Sequence, residues 1–277
     1  METISYLGII SIAILIIPTL FINKYLEIKL NKDIVVSILR MFVQLSIVGL
    51  YLQYIFDLNN SLLNIAYMLI MMIVASHSII SSAKFKMNKL FLPIAASVII
   101  PNFLIIIFFN FIVIGLDNPF NARYLITIGG MILGNVLKGD IISIMTFYNG
   151  IKDNYNKINY DLALGATLFQ ATKPYLKKTI KVAIKPSIST AATMGIVSLP
   201  GMMTGQILSG SLPMAAIMYQ IAIMIAIYVS RYFSVIFLLY LTKNVMFDKN
   251  EQLVLDNYNL DYIGEKHTNN KQKASVK

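Results

Sequence analysis

The sequence predicts an all-α, polytopic helical membrane protein. It has seven transmembrane helices, with the N-terminus outside and the C-terminus cytoplasmic. Three observations carry this. The chain is 57% hydrophobic and only 13% charged, with a mean hydropathy of +0.70, where a soluble domain has about a quarter charged residues. Its apolar residues fall in blocks of about twenty rather than at amphipathic spacing. Its basic residues alternate between successive loops, as orientation in a bilayer requires.

The spans are Ile4–Phe21, Ile34–Phe56, Leu62–Ser82, Leu90–Ile114, Tyr124–Phe147, Pro186–Leu208 and Leu212–Leu241. Each is long enough to cross about 30 Å of hydrocarbon at about 1.5 Å per residue. No Lys or Arg precedes Lys24, so the first block reads as a retained span rather than a cleaved signal. Alternate loops and the tail hold 3, 3, 7 and 6 basic residues, against 0, 0, 1 and 0 on the other side. This alternation sets the orientation and supports the count of seven. The net charge of +10 therefore reflects orientation and does not point to nucleic acid. The absence of Cys excludes disulfides and thiolate metal sites. The loops on the lysine-poor side are too short for a receptor domain. The material outside the bilayer is the segment 148–185 and a polar tail, 243–277, that reads as mobile.

Ser198–Gly210, SLPGMMTGQILSG, interrupts the sixth block. Pro lacks an N–H and Gly favours non-helical backbone, so Leu199, Pro200 and Gly201 mark a break, followed by Met202, Met203, Gly205 and Gln206. Broken backbone at membrane depth must be covered by protein or line water. The stretch reads either as a moving, substrate-facing gate or as a helix end with a tight turn at the membrane surface. Between spans five and six, Ile158, Leu162, Gly165 and Phe169 recur at helical spacing beside Asn159, Asp161 and Gln170. Pro174 interrupts the pattern and LKKTIK follows. This is either an interfacial helix on anionic lipid or a docking helix for a cytoplasmic partner.

Polar groups within spans are costly and are functional candidates by default. Arg40 and Gln44 share one face of span two. Arg40 has a snorkelling alternative. Asn135, Lys138 and Asp140 cluster in span five, with Lys138 and Asp140 on different faces. Arg231 in span seven is the expected counter-charge of Asp140. His77 in span three and His267 in the tail form no cluster. Asp140 is the one acid clearly within a span, so residue chemistry alone defines no metal site.

The runs GGMILGN (129–135), LALGAT (162–167), IKPSISTAATMGIVSLPGMMTGQILSG (184–210) and RMFVQLSIVG (40–49) resemble the FetB/YbbM family. Its bacterial members are described as permease subunits of an ABC-type iron exporter, and plant relatives are linked to aluminium tolerance. The resemblance implies a transmembrane permease domain over 1–242, working as a homodimer in the cell membrane with a separate ATPase subunit. It also implies a coupling contact at Asp161, Leu162, Gly165 and Phe169, although the family's usual Glu is absent there. No G-x-x-x-x-G-K-[ST] run occurs, so ATP would be bound by the partner, with no cofactor and no catalytic residues in this chain. An ion-coupled secondary transporter or channel using Lys138 and Asp140 is the alternative. A membrane scaffold or sensor is a third reading.

Overall fold

The computed structural model describes residues 5–248 except 198, together with Val254. The described residues form ten α-helices and no strands: α1 (Tyr6–Ile14), α2 (Ile16–Tyr25), α3 (Asn31–Leu58), α4 (Ser61–Ala83), α5 (Met87–Phe108), α6 (Ala122–Asp153), α7 (Tyr155–Ala163), α8 (Leu168–Thr193), α9 (Gly201–Leu208) and α10 (Pro213–Met246). Six helical runs are long and apolar enough to cross a membrane: Leu7–Tyr25, Asn31–Leu58, Ser61–Ala83, Lys89–Val113, Ala122–Asp153 and Pro213–Met246. These are six of the seven expected spans. The other, Pro186–Leu208, is not one helix. It is divided among the end of α8, a non-helical stretch from Met194 to Pro200, and α9.

The chain separates into two units. One is residues 1–59 with 208–210, and the other is residues 60–207 and 211–277. In the first, α1 and α2 meet at Leu15, and the Asn31 amide donates to the Leu20 carbonyl at 3.0 Å. Most positions of α3 are exposed, several are half-buried and Ile55 alone is buried. Such a helix is stable only where lipid or protein covers its apolar side chains.

The second unit is a five-helix bundle with a continuous core that includes Met68, Met72, Ile79, Ile94, Ile106, Leu125, Ile132, Ile144, Tyr148 and Leu238. Side-chain bonds fix its register. At one end the Asn64 amide donates to the Phe120 carbonyl (2.8 Å), and Tyr219 on α10 meets Tyr124 on α6. At the other end the Tyr148 and Thr242 hydroxyls lie 2.7 Å apart and Phe85 packs edge-on against Tyr148. Hence α4, α6 and α10 run parallel. The other two helices run against them: the Ser97 carbonyl of α5 lies 3.2 Å from the Ser234 hydroxyl, and α8 places Tyr175 against Gly150 and Ser187 against Arg231.

This register has a consequence for the divided segment. Thr193 lies about 9 Å beyond Ser187 along α8. Pro213 lies about 27 Å from Arg231 in the same direction. Residues 194–212 must therefore carry the chain roughly another 18 Å towards the Tyr124 end before α10 begins.

Two expected breaks shift. Pro174 does not interrupt a helix; it lies inside α8, as does Pro186. The interruption falls at Leu164–Thr167, where Gly165 takes φ +91° and a Thr167–Gln170 capping box starts α8. Pro174 removes a donor to the carbonyl of Gln170, which belongs to an exposed residue near the helix start, where the loss is small. The segment 148–185 is likewise not a separate piece. Helix α6 continues to Asp153, and α8 packs along α6 and α10 well before Lys185. Lys243 still belongs to α10, and Met246 and Phe247 are buried. Most of the expected tail, with Lys249, Lys266, His267, Lys271, Lys273 and Lys277, lies outside the described residues.

Candidate functional site

The polar groups of the bundle gather halfway along it. Helix α6 carries a buried stripe, Val136, Gly139, Asp140, Ser143 and Ile144, towards α5 and α10. Helix α10 answers with Ser230, Arg231 and Ser234, all buried. Arg231 is the connector. Its Nε donates to the Asn135 carbonyl at 3.1 Å, its Nη2 donates to the same carbonyl, and its Nη1 donates to the Ser187 hydroxyl. One guanidinium thus ties α6, α8 and α10 together, a use that suits its fixed fork of donors. Gly139 is required at the crossing: a Cβ there would stand 2.8–2.9 Å from Arg231 Cγ, Cδ and Nε.

Asp140 is fully buried one residue away. Its Oδ2 accepts from the Ser234 hydroxyl at 2.6 Å, and Ser234 lies also against the Ser97 carbonyl. Its Oδ1 has no partner. The expected direct pairing of Asp140 with Arg231 is corrected in this respect. The two are electrostatic neighbours, but each spends its hydrogen bonds elsewhere, because the Arg231 fork turns towards Asn135 and Ser187. Lys138 and Asp140 do lie on different faces: Lys138 is exposed and Asp140 buried. They make no coupling pair.

The broken stretch is also placed differently from expectation. The Leu-Pro-Gly run is where helix resumes: the Pro200 carbonyl accepts from the Thr204 N–H and hydroxyl, and Gly201, Met202, Met203, Gly205 and Gln206 all lie in α9. The unwinding precedes it, at Met194–Val197, around Gly195 with φ +85°, and at Leu199. Pro pre-sets the entry to a helix as readily as it ends one, which is why the signal was displaced. Met203 is buried and Met202 packs on the core, so both serve packing. A side chain at Gly195 meets left-handed backbone strain. Gly195→Ala is expected to cost about 1–2 kcal/mol, seen as a lower melting temperature, whereas Gly201→Ala, with open space around it, is neutral.

The coupling candidates sit together at the end of the bundle that holds Lys84, Lys152 and Lys243. Asp161 and Leu162 are on α7, Gly165 is in the turn and Phe169 opens α8. Tyr160, Leu164 and Phe169 are 65%, 69% and 56% exposed. A depression at this corner is lined by Asp161, Leu164, Ala166, Gln170 and Ala171. Beside it, a cavity of about 360 Å³ runs between α8 and α10, walled by Phe147, Leu176, Ile236, Leu239 and Tyr240. Neither hollow was visible from spacing. Ser187, Ser230 and Ser234 were missed too; the one available signal was the i, i+4 repeat of Ser around Arg231.

Arg40 and Gln44 occupy exposed positions of α3 in the first unit. His77 is exposed on α4, near Ile73, Val74 and Phe91. Among the described residues no group of three or more His, Cys, Asp or Glu could hold a metal ion.

Apolar helices of spanning length, a polar cluster buried between them and one end rich in lysine define a multi-pass helical membrane protein. The chain belongs to UPF0014, described as an uncharacterised protein family, whose model matches residues 6–247. It is 34% identical over 201 residues to the protein Aluminum Sensitive 3 of Arabidopsis thaliana, covering 72% of this chain and 71% of that one. It is 29% identical to the membrane protein YjkA of Bacillus subtilis, covering 90% and 98%. It is 30% identical to the protein of Escherichia coli named as a probable iron export permease, FetB, covering 87% and 92%. No solved structure matches significantly.

Proposed function

We propose that the chain is the membrane-spanning permease subunit of an ABC-type transporter, exporting iron or another metal ion from the cell. It works as a homodimer in the cell membrane, and a separate ATPase subunit binds and hydrolyses ATP. The observation that carries this reading is the α7–α8 corner. It is a short amphipathic helix and turn at the lysine-rich end, presenting Tyr160, Leu164 and Phe169 beside Asp161. Exposed aromatic and aliphatic side chains around a depression are what a partner protein docks on. The name of the Escherichia coli relative supports the cargo.

Seven crossings belong to this reading: besides the six long helices, the divided α8–α9 passage would return the chain to the side from which α10 starts, and the positive-inside rule would then make the lysine-rich end cytoplasmic. Thrust on the α7–α8 corner would travel up α8 to the Arg231 cluster and the Met194–Leu199 break, which is the hinge of the alternating-access motion.

Affinity purification of the tagged chain from native membranes, with any co-purifying P-loop ATPase identified by mass spectrometry, tests this. The ATPase is expected to co-purify, and Leu164→Asp with Phe169→Asp to cut its recovery about tenfold or more, as loss of two hot-spot contacts implies. Failure of any ATPase to associate, or full recovery with the double variant, would overturn the reading.

A further inference from the structure

Lys138 stands at the middle of α6, sixteen residues from Ala122 and fifteen from Asp153. It is exposed and, among the described residues, makes no hydrogen bond or ion pair. Lys185 is exposed on α8, two residues before Ser187. Since Arg231 binds Asn135 and Ser187 together, Lys138 and Lys185 lie at the same level of the bundle. Lys181 follows one turn below Lys185, also exposed. This level is halfway along α6, a helix long and apolar enough to cross a membrane, and a lysine head held within a bilayer at such a level cannot face hydrocarbon.

Among the described residues none of these lysines makes an ion pair with a carboxylate. Among the described residues of the second unit, Asp140 is the one acid inside a long helix away from its ends, and it is fully buried and bonded to Ser234. Glu27, Asp33, Asp57, Asp117, Asp153, Asp161 and Asp248 lie at helix ends or in connections, and the other five acids fall in the chain ends.

We infer that this level of α6 and α8 lines a water-filled passage with a cationic lining, and that the cargo crosses it as an anion. A metal would then travel as an anionic oxygen-donor chelate, not as the free cation. The inference rests on the permease reading and names the charge class of its cargo. The chemistry is direct: a bare divalent cation is repelled by uncompensated ammonium groups in a low-dielectric wall, whereas a polycarboxylate complex is attracted.

The absence of native Cys allows a clean test. Ser189 is exposed, one turn from Lys185. The full chain carrying Ser189→Cys is reconstituted in liposomes and treated with anionic and cationic methanethiosulfonate reagents, rates being normalised to a free thiol in water. The anionic reagent is expected to react roughly tenfold faster or more. The added pair Lys138→Gln and Lys185→Gln is expected to remove that preference. Citrate should slow labelling more than chloride at equal ionic strength. No labelling by either reagent, equal or faster labelling by the cationic one, a preference that survives the double glutamine change, or equal effects of citrate and chloride would each overturn the inference. The labelling needs no ATPase, so failure of the co-purification leaves its outcome separate.

Discussion

Arg231→Leu is expected to lower the melting temperature of the detergent-solubilised protein by roughly 10 °C and to abolish transport. The side chain donates twice to the Asn135 carbonyl and once to Ser187. Its loss removes these donors, leaves the Ser187 hydroxyl without its partner in the interior and strands the buried carboxylate of Asp140 without a nearby cation. Removing one member of such a buried charged network costs about 3–5 kcal/mol. Arg231→Lys is expected to recover part of the stability, since a single ammonium cannot reach both helices as the fork does. Thermal unfolding followed by tryptophan-free methods, such as differential scanning calorimetry, reads this out. A leucine variant as stable as the parent would refute the assignment of Arg231 as the tie between α6, α8 and α10.

Gly139→Ala is the second large effect. The added methyl would approach Arg231 Cγ, Cδ and Nε at 2.8–2.9 Å. Elsewhere in the bundle a flexible side chain would move aside. At Gly129 the nearest atoms are the Met68 thioether and terminal methyl, at 2.8 and 2.7 Å, and these can shift. Arg231 cannot shift without giving up its bonds at both ends, so the overpacking is expected to cost about 1–3 kcal/mol. Gly134→Ala is the control: it has nothing within 4 Å and gains up to about 1 kcal/mol of helix propensity. Equal melting temperatures for the two alanine variants would show that the close crossing is absent.

Both expectations concern a cluster that was partly legible beforehand. Hydropathy and charge pick out Asn135, Lys138, Asp140 and Arg231 because an ionisable group in an apolar run is conspicuous whatever it touches. The partners were not legible. Ser187, Ser97 and Ser234 are ordinary small residues in membrane helices. They become a network only when α5 and α8 run against α6 and α10. The direct ion pair was the natural guess from charge alone. It gave way because a backbone carbonyl of α6 and a hydroxyl of α8 lie within reach of the guanidinium, and the buried carboxylate found a hydroxyl.

The Met194–Pro200 region shows the same limit. A Pro-Gly pair signals a discontinuity, but not on which side of it the backbone unwinds. Here Gly195 takes the left-handed conformation and Pro200 begins the next helix. Pro174 and Pro186, equally strong signals by composition, are absorbed inside α8, because packing on α6 and α10 outweighs one lost hydrogen bond each.

What the sequence by itself determined is the class: helical and membrane-spanning, with six long apolar helices bounded to within two turns, whereas α8 and its lysines Lys173, Lys177, Lys178, Lys181 and Lys185 read as loop. Those properties are local sums over twenty residues, and a bilayer acts on them one segment at a time. Only the tertiary structure decided that α8 rises alongside α6 and α10 carrying its lysines with it, that Arg231 answers Asn135 and Ser187, and that Lys138 is left facing outward at the centre. Those outcomes depend on which helices become neighbours and in what register, and contacts between residues about a hundred positions apart leave no periodic trace in the chain.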